Sequence, residues 1–220
     1  GDIIGNPELA PQFVHTLEGQ VIYVPSDSVK LSTNVSYNYL QDQASFGLQG
    51  FNLVARNVAE LSTLTLESIL EAHYRHVVGG FLKYERVWTE RNPGLVGYQA
   101  SLIGLGNGVY PEQVVRVGVW AELVEAFTRV SVMGSYVGER RASDTNILEN
   151  GNRGAYYLDP YMMLDATLST TPILLGDSGD MVVRIMARNL LDAQASDPGE
   201  AGVDFPLAPR TLTLQLNVTY

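Results

Sequence analysis

The C-terminal stretch Arg210–Tyr220 reads R-T-L-T-L-Q-L-N-V-T-Y. In an extended chain successive side chains point to opposite faces. Leu212, Leu214, Leu216, Val218 and Tyr220 therefore share one face, and Thr211, Thr213, Gln215, Asn217 and Thr219 share the other. One face is wholly apolar and the other is polar without a charge. A soluble sandwich strand can carry this pattern. A transmembrane barrel strand requires it, because one face meets lipid and the other a wet lumen.

Working outward, the same two-faced pattern recurs. Over residues 12–24, His15, Leu17, Gly19, Val21 and Tyr23 oppose Thr16, Glu18 and Gln20. Pro25-Ser26-Asp27 marks a tight turn. After it, Val29, Leu31, Thr33, Val35, Tyr37 and Tyr39 oppose Lys30, Ser32, Asn34, Ser36 and Asn38. A polar, glycine-bearing stretch from residue 42 to 57 is expected to be a loop. Residues 58–76 fit both a period of two and a helical stripe through Leu66, Ile69, Leu70 and His73. Strands flank the segment, and we read it as a strand. Val77-Val78-Gly79-Gly80 is expected to turn the chain into Phe81–Thr89, whose apolar face carries Arg86 as a defect. Further strands are expected at Gln113–Leu123, Ala126–Gly138, around Met162–Leu168, at Met181–Arg188 and at Arg210–Tyr220.

Nine strands result, and their connections alternate in length. Those near residues 25, 78, 124 and 176 are short; those over 42–57, 90–111, 139–157 and 191–209 are long. Short turns at one rim and long loops at the other belong to an outer-membrane barrel, whose two rims face different compartments. A soluble sandwich has no reason to sort its loops this way. Aromatic residues agree, with Tyr23 and Tyr220 toward the short-turn rim and Tyr37, Tyr39, Trp88 and Tyr136 toward the other, as two interfacial girdles. The fold class read from the sequence is all-β: a transmembrane antiparallel β-barrel segment of about nine strands. Residues 1–11 are expected as an extracellular loop and residues 12–220 as one set of C-terminal barrel strands.

Composition is compatible with this reading. Mean hydropathy is +0.02, and no apolar run approaches the roughly 18 residues of a transmembrane helix. A net charge of −10 argues against nucleic acid as a partner. Cysteine is absent, which excludes a disulfide framework and Cys-based zinc sites.

Several motifs resemble those of TonB-dependent outer-membrane receptors. Gly5-Asn6-Pro7-Glu8-Leu9-Ala10-Pro11 is similar to the loop opening a late barrel strand. Tyr136-Val137-Gly138-Glu139-Arg140, Leu158-Asp159-Pro160-Tyr161 and Ala187-Arg188-Asn189-Leu190-Leu191-Asp192 follow in the family's order. The C-terminal residues Leu214, Leu216, Val218 and Tyr220 resemble the signal read by the barrel-insertion machinery. The resemblance implies an outer-membrane location in a Gram-negative-type bacterium and active uptake of a scarce nutrient such as an iron chelate or a cobalamin. It also implies that the lipid bilayer, the insertion machinery and, through a plug, TonB are partners. Such receptors have a plug and about twenty-two strands. The chain looks like their C-terminal part, so another polypeptide or a preceding segment is expected to supply the plug and about thirteen strands. A receptor-derived barrel serving as a structural anchor without transport is the alternative function.

No catalytic, cofactor or metal signature is read, and no enzyme activity is expected. His15, His73 and His76 lack metal-ligand spacing. Gly104-Leu105-Gly106-Asn107-Gly108 lacks the spacing and setting of a phosphate loop. Glu18, Gln20, Glu67, Glu71, Arg116, Arg184 and Arg188 are expected on the lumen face, with the glutamates pairing to the arginines. Asp192, Asp197, Glu200 and Asp204 show no EF-hand order and are read as a solvated surface loop.

Overall fold

The computed structural model describes residues 3–49, 52–75, 77–93, 111–142, 156–176, 179–200 and 203–219. Nine long strands dominate it: β1 (Phe13–Ser26), β2 (Val29–Gln49), β3 (Asn52–Tyr74), β4 (Val78–Pro93), β5 (Gln113–Leu123), β6 (Thr128–Val137), β7 (Tyr161–Thr170), β8 (Asp180–Arg188) and β9 (Thr211–Thr219). Each pairs antiparallel with the next in sequence, so the sheet is a meander. An odd number of such strands makes β1 and β9 run in the same direction. Among the described residues they do not pair with each other, and each has one open edge.

Register carries the fold class. Val218, Leu216 and Leu214 face Met181, Val183 and Ile185, and Leu168 and Ala166 continue that row onto β7. Val130 and Val132 extend it to β6, Ala121 and Val119 to β5, Val78, Gly80 and Leu82 to β4. Tyr74, Ala72 and Leu70 follow on β3, then Val29 and Leu31 on β2, and Tyr23 on β1. A one-residue slip anywhere would flip a strand's faces. The one shift that touches this band, between Tyr23 and Ser26, falls at its edge beside the first turn, so one apolar surface runs over all nine strands.

That surface is open. Leu17, Val21, Val35, Val117, Val119, Leu212 and Leu214 are all exposed, whereas Ala55, Val114 and Ala142 are the buried apolar residues among those described. The chain exposes 14525 Å², against about 10,000 Å² for a globular monomer of this mass. A sandwich would bury one apolar face against a second sheet. Here the apolar face is the outer one and no second layer covers it, which is the inside-out arrangement of a membrane barrel wall. No helix among the described residues is long and apolar enough to cross a membrane.

Residues 58–74 are strand, as read. Two expectations are corrected. Residues 42–57 are no loop: β2 and β3 stay paired up to Gln49 and Asn52. The irregularity that hides this is a pair of register shifts between Leu40 and Ala44, where Asp42 takes a φ of 54°. The hairpin rises roughly 30 Å beyond Leu40, at about 3.3 Å per residue. Ile3–Ile4 lies parallel to Leu53–Val54 on this hairpin, so residues 1–11 are not wholly irregular.

The second correction concerns Gly79 and Gly80, which lie inside β4, opposite His73 and Ala72. The turn is at Arg75, with a φ of 47°, and closes through Val77 N–H to Tyr74 O at 3.0 Å. The glycines serve close packing instead. A Cβ on Gly79 would stand 2.7 Å from the Trp120 ring, and one on Gly118 would overlap the Phe81 ring. Each ring lies over the glycine facing it across β4 and β5.

Val35 and Ser36 are adjacent on β2 and point to opposite faces, with Ser36 paired to Glu18 and Thr65. Val35→Arg is expected to cost about 2–4 kcal/mol, as a cation on the lipid face near the bilayer midplane does. Ser36→Arg should be near neutral beside Glu18. Folded, heat-modifiable protein in membrane fractions measures both, and equal tolerance would invert the facing.

Candidate functional site

Two features distinguish the wall from a plain sheet: the polar face opposite the apolar band and a clasp at the long-loop rim. Register places all seven expected lumen residues, Glu18, Gln20, Glu67, Glu71, Arg116, Arg184 and Arg188, opposite the apolar band. Their partners differ from those expected. Glu67 Oε2 accepts from Lys83 Nζ at 2.7 Å, and Lys83 also lies 3.8 Å from Glu85. Glu71 pairs with Lys30 at 3.4 Å, and Asn34 Nδ2 donates to Glu18 Oε1 at 2.8 Å. Each partner lies on a neighbouring strand, so the glutamates of β1 and β3 are satisfied across the ladder. The arginines sit on β5 and β8, neither of which adjoins β1 or β3. Among the described residues none of the three forms an ion pair with a carboxylate; Arg184 donates to Gln215 Oε1 at 3.2 Å.

Arg86, the defect in the apolar face, belongs to the outer rim. It faces Gln113, the first residue of β5, donates to it at 3.2 Å, and lies 3.4 Å from Glu112. Its guanidinium stacks on Trp88 at 5.6 Å. A long cationic side chain at this height reaches the interface while its stem stays in the apolar band. Tyr37, Leu64 and Trp88 share the next row of the lipid face, and Tyr23, Tyr74 and Phe127 are exposed near the opposite rim. A notch of about 690 Å³ opens where β4 rises past the start of β5, lined in part by Glu85, Thr89, Glu112 and Arg141.

The three later motifs converge on the rim above β6–β9. Arg140 is buried. It donates to Asp197 Oδ1 at 2.7 Å, to Ser196 O at 3.1 Å and to Asp159 O at 2.8 Å, and stacks on Tyr161 at 4.6 Å. The Tyr156 hydroxyl donates to Asp204 at 2.5 Å. Asn189, with a φ of 51°, donates from its side chain to Ala193 O and Ala208 O, while its Oδ1 accepts from Ala193 N–H at 2.8 Å. Its own N–H donates to Asp165 at 2.8 Å, and Asp192 accepts from Arg210 N–H at 3.2 Å. The expected solvated loop is thus corrected: Ser196–Glu200 and Val203–Pro206 form a hairpin, and Asp192, Asp197 and Asp204 secure it. Their carboxylates meet donors 18 to 57 residues away in the chain, which spacing alone does not reveal.

No cluster of three or more potential metal ligands occurs among the described residues. His73 lies in β3 and His15 stacks on Tyr39 at 6.3 Å. His76, Tyr220 and residues 104–108 lie outside the described residues. Leu214, Leu216 and Val218 lie in β9, all on the apolar face.

No family model and no curated protein matches the sequence. Solved structures do match. The FrpB iron transporter from Neisseria meningitidis (F3-3 variant) superposes with a TM-score of 0.74 at 10% identity, covering 97% of this chain and 32% of its own. The siderophore receptor PirA from Acinetobacter baumannii gives 0.71 at 13% identity, with 97% and 32% covered. The outer membrane transporter YddB from Escherichia coli gives 0.69 at 15% identity, with 98% and 33% covered. The chain has the barrel fold of these outer-membrane proteins and spans about a third of their length.

Asp197→Ala removes the carboxylate from a buried guanidinium. The expected loss is about 1–3 kcal/mol, below the range for a fully buried pair because Asp197 is half exposed. Faster amide exchange at Asp159 and Tyr161, with β1–β4 unchanged, would register it; unchanged exchange would dismiss the clasp.

Proposed function

We propose that this chain is the C-terminal barrel portion of a TonB-dependent outer-membrane receptor for active uptake of a scarce nutrient. One observation carries the reading: a nine-stranded meander with an apolar band running across every strand on one face, matching a third of several outer-membrane transporters over nearly its whole length. FrpB is named an iron transporter and PirA a siderophore receptor, and the substrate class here is taken to be similar, an iron chelate or a related scarce complex. The bilayer is the solvent for the apolar face, and the long arms of β2 and β3 stand outside the cell.

The open edges require a partner. Every residue of β1 is exposed, and in β9 only Gln215 is not. Each unsatisfied N–H or C=O facing hydrocarbon costs several kcal/mol, so about ten residues of bare edge on each side cannot stand in lipid. A second copy cannot close the barrel with antiparallel pairs. Rotating one copy about the membrane normal leaves its β1 parallel to the other's β9. An odd number of further strands satisfies both edges, supplied by a preceding segment or by another polypeptide that also brings the plug.

The transport reading is tested with the native complex in whole cells. Uptake of a radiolabelled ferric chelate should require both this chain and an intact TonB system. Uptake that survives loss of TonB, or an envelope defect unconnected to any solute, would favour the anchor function instead. Mass measurement in mild detergent should find the chain joined to further strands; a monomer of this chain alone, folded and heat-modifiable, would sink the shared-barrel claim. Cysteine at Phe205 should react with an impermeant thiol reagent on intact cells, and cysteine at Asp27 should not.

A further inference from the structure

The lumen face is polar where β1–β3 line it, through Thr16, Gln20, Asn34, Ser36, Asn38 and Thr65. It changes character toward β5–β8. There, on the half nearer the short turns, a hollow of about 530 Å³ has Phe81, Trp120, Met133 and Val182 in its lining, with Arg129 and Arg184 beside them. These residues lie on the lumen-facing rows of the register. Phe81 and Met133 are 37% and 41% exposed. Gly79 and Gly118 leave room for the Trp120 and Phe81 rings to lie close against the wall.

Two arginines and one glutamate, Glu122, border the hollow. Arg129 leans over the Trp120 ring at 4.6 Å and keeps only a long 3.8 Å pair with Glu122. Arg184 is half-buried and has an amide as its partner. Arg116 and Arg188 face the same lumen without a carboxylate among the described residues. Of the wall's own acids, Asp165 is taken by the Asn189 N–H and Asp180 stands four residues down β8 from Arg184. A hollow with Phe81, Trp120 and Met133 in its lining, and with Arg184 at its border left without a carboxylate, is complementary to an apolar side chain followed closely by an acidic one.

We propose that the polypeptide segment occupying the lumen docks here, inserting an apolar side chain between Phe81, Trp120 and Met133 and presenting a carboxylate to Arg184. The inference rests on the barrel reading above and adds which part of the wall receives the segment and with what chemistry.

The test places a photoreactive benzoylphenylalanine at Met133, and for comparison at Ser36, in the native membrane complex. Irradiation should attach Met133 to a polypeptide segment carrying Asp or Glu within a few residues of the linked position, while Ser36 gives little such product. Arg184→Glu should lower the Met133 yield by about tenfold and Arg184→Lys should retain it, with barrel levels and heat-modifiability checked for both. Equal yields from Met133 and Ser36, or a Met133 yield indifferent to Arg184→Glu, would overturn the docking. Attachment to a small molecule alone would overturn a polypeptide occupant. Attachment to lipid would place Met133 on the outer face and overturn the barrel reading itself.

Discussion

Hydrocarbon offers no partner to a peptide group, and that constraint organises everything in this chain. Each N–H and C=O at membrane depth must be answered by a neighbouring strand. Pairing in turn locks the register, and the register sorts side chains into a lipid face and a lumen face. The row from Val218 through Leu168, Val130, Ala121 and Val78 to Tyr74 is one product of that sorting. The salt bridge from Lys83 to Glu67 is another, because only a fixed register sets them directly within reach across β3 and β4. A buried core is not needed, and among the described residues almost none is present.

Charged groups follow a simple division. On β2–β4 Lys30 pairs with Glu71 and Lys83 with Glu67 between neighbouring strands, and Glu18 on β1 accepts from the Asn34 amide. At the outer rim they hold connections together, as Arg140 does between Asp159 and Asp197. On β5 and β8 the arginines point inward and are left for something else. Partial pairing of this sort is costly in a closed interior but tolerable beside water, so the wall can keep unpaired cations until a partner covers them.

The strands themselves were legible from alternation alone, since lipid on one side and water on the other write a period of two into residues such as Leu212 to Val218. What escaped legibility had specific causes. The arm over residues 42–57 was hidden by the left-handed backbone at Asp42, which shifts the alternation without ending the strand. Gly79 and Gly80 suggested a turn because glycine's freedom is its familiar role, whereas here its lack of a side chain makes room for the Trp120 ring. Which polar residues share the face opposite the apolar band follows from parity, but their partners depend on which strands are neighbours. Arg140 and Asp197 are 57 residues apart, and no local pattern announces their contact. Three of the family-like motifs proved to be parts of that rim clasp, which gives a physical reason for residues that sequence could only match.

Equal direction of β1 and β9 also bears on how such a wall could have arisen. A hairpin begins and ends at the same rim, so duplicating it adds strands that pair antiparallel with what is already there. A nine-stranded unit enters at one rim and leaves at the other. Repeating it in tandem would force the linker back across the bilayer and would set its first strand parallel to the last. Growth of this barrel by copying this unit whole is therefore disfavoured, while growth by inserting or duplicating pairs of strands within it is open.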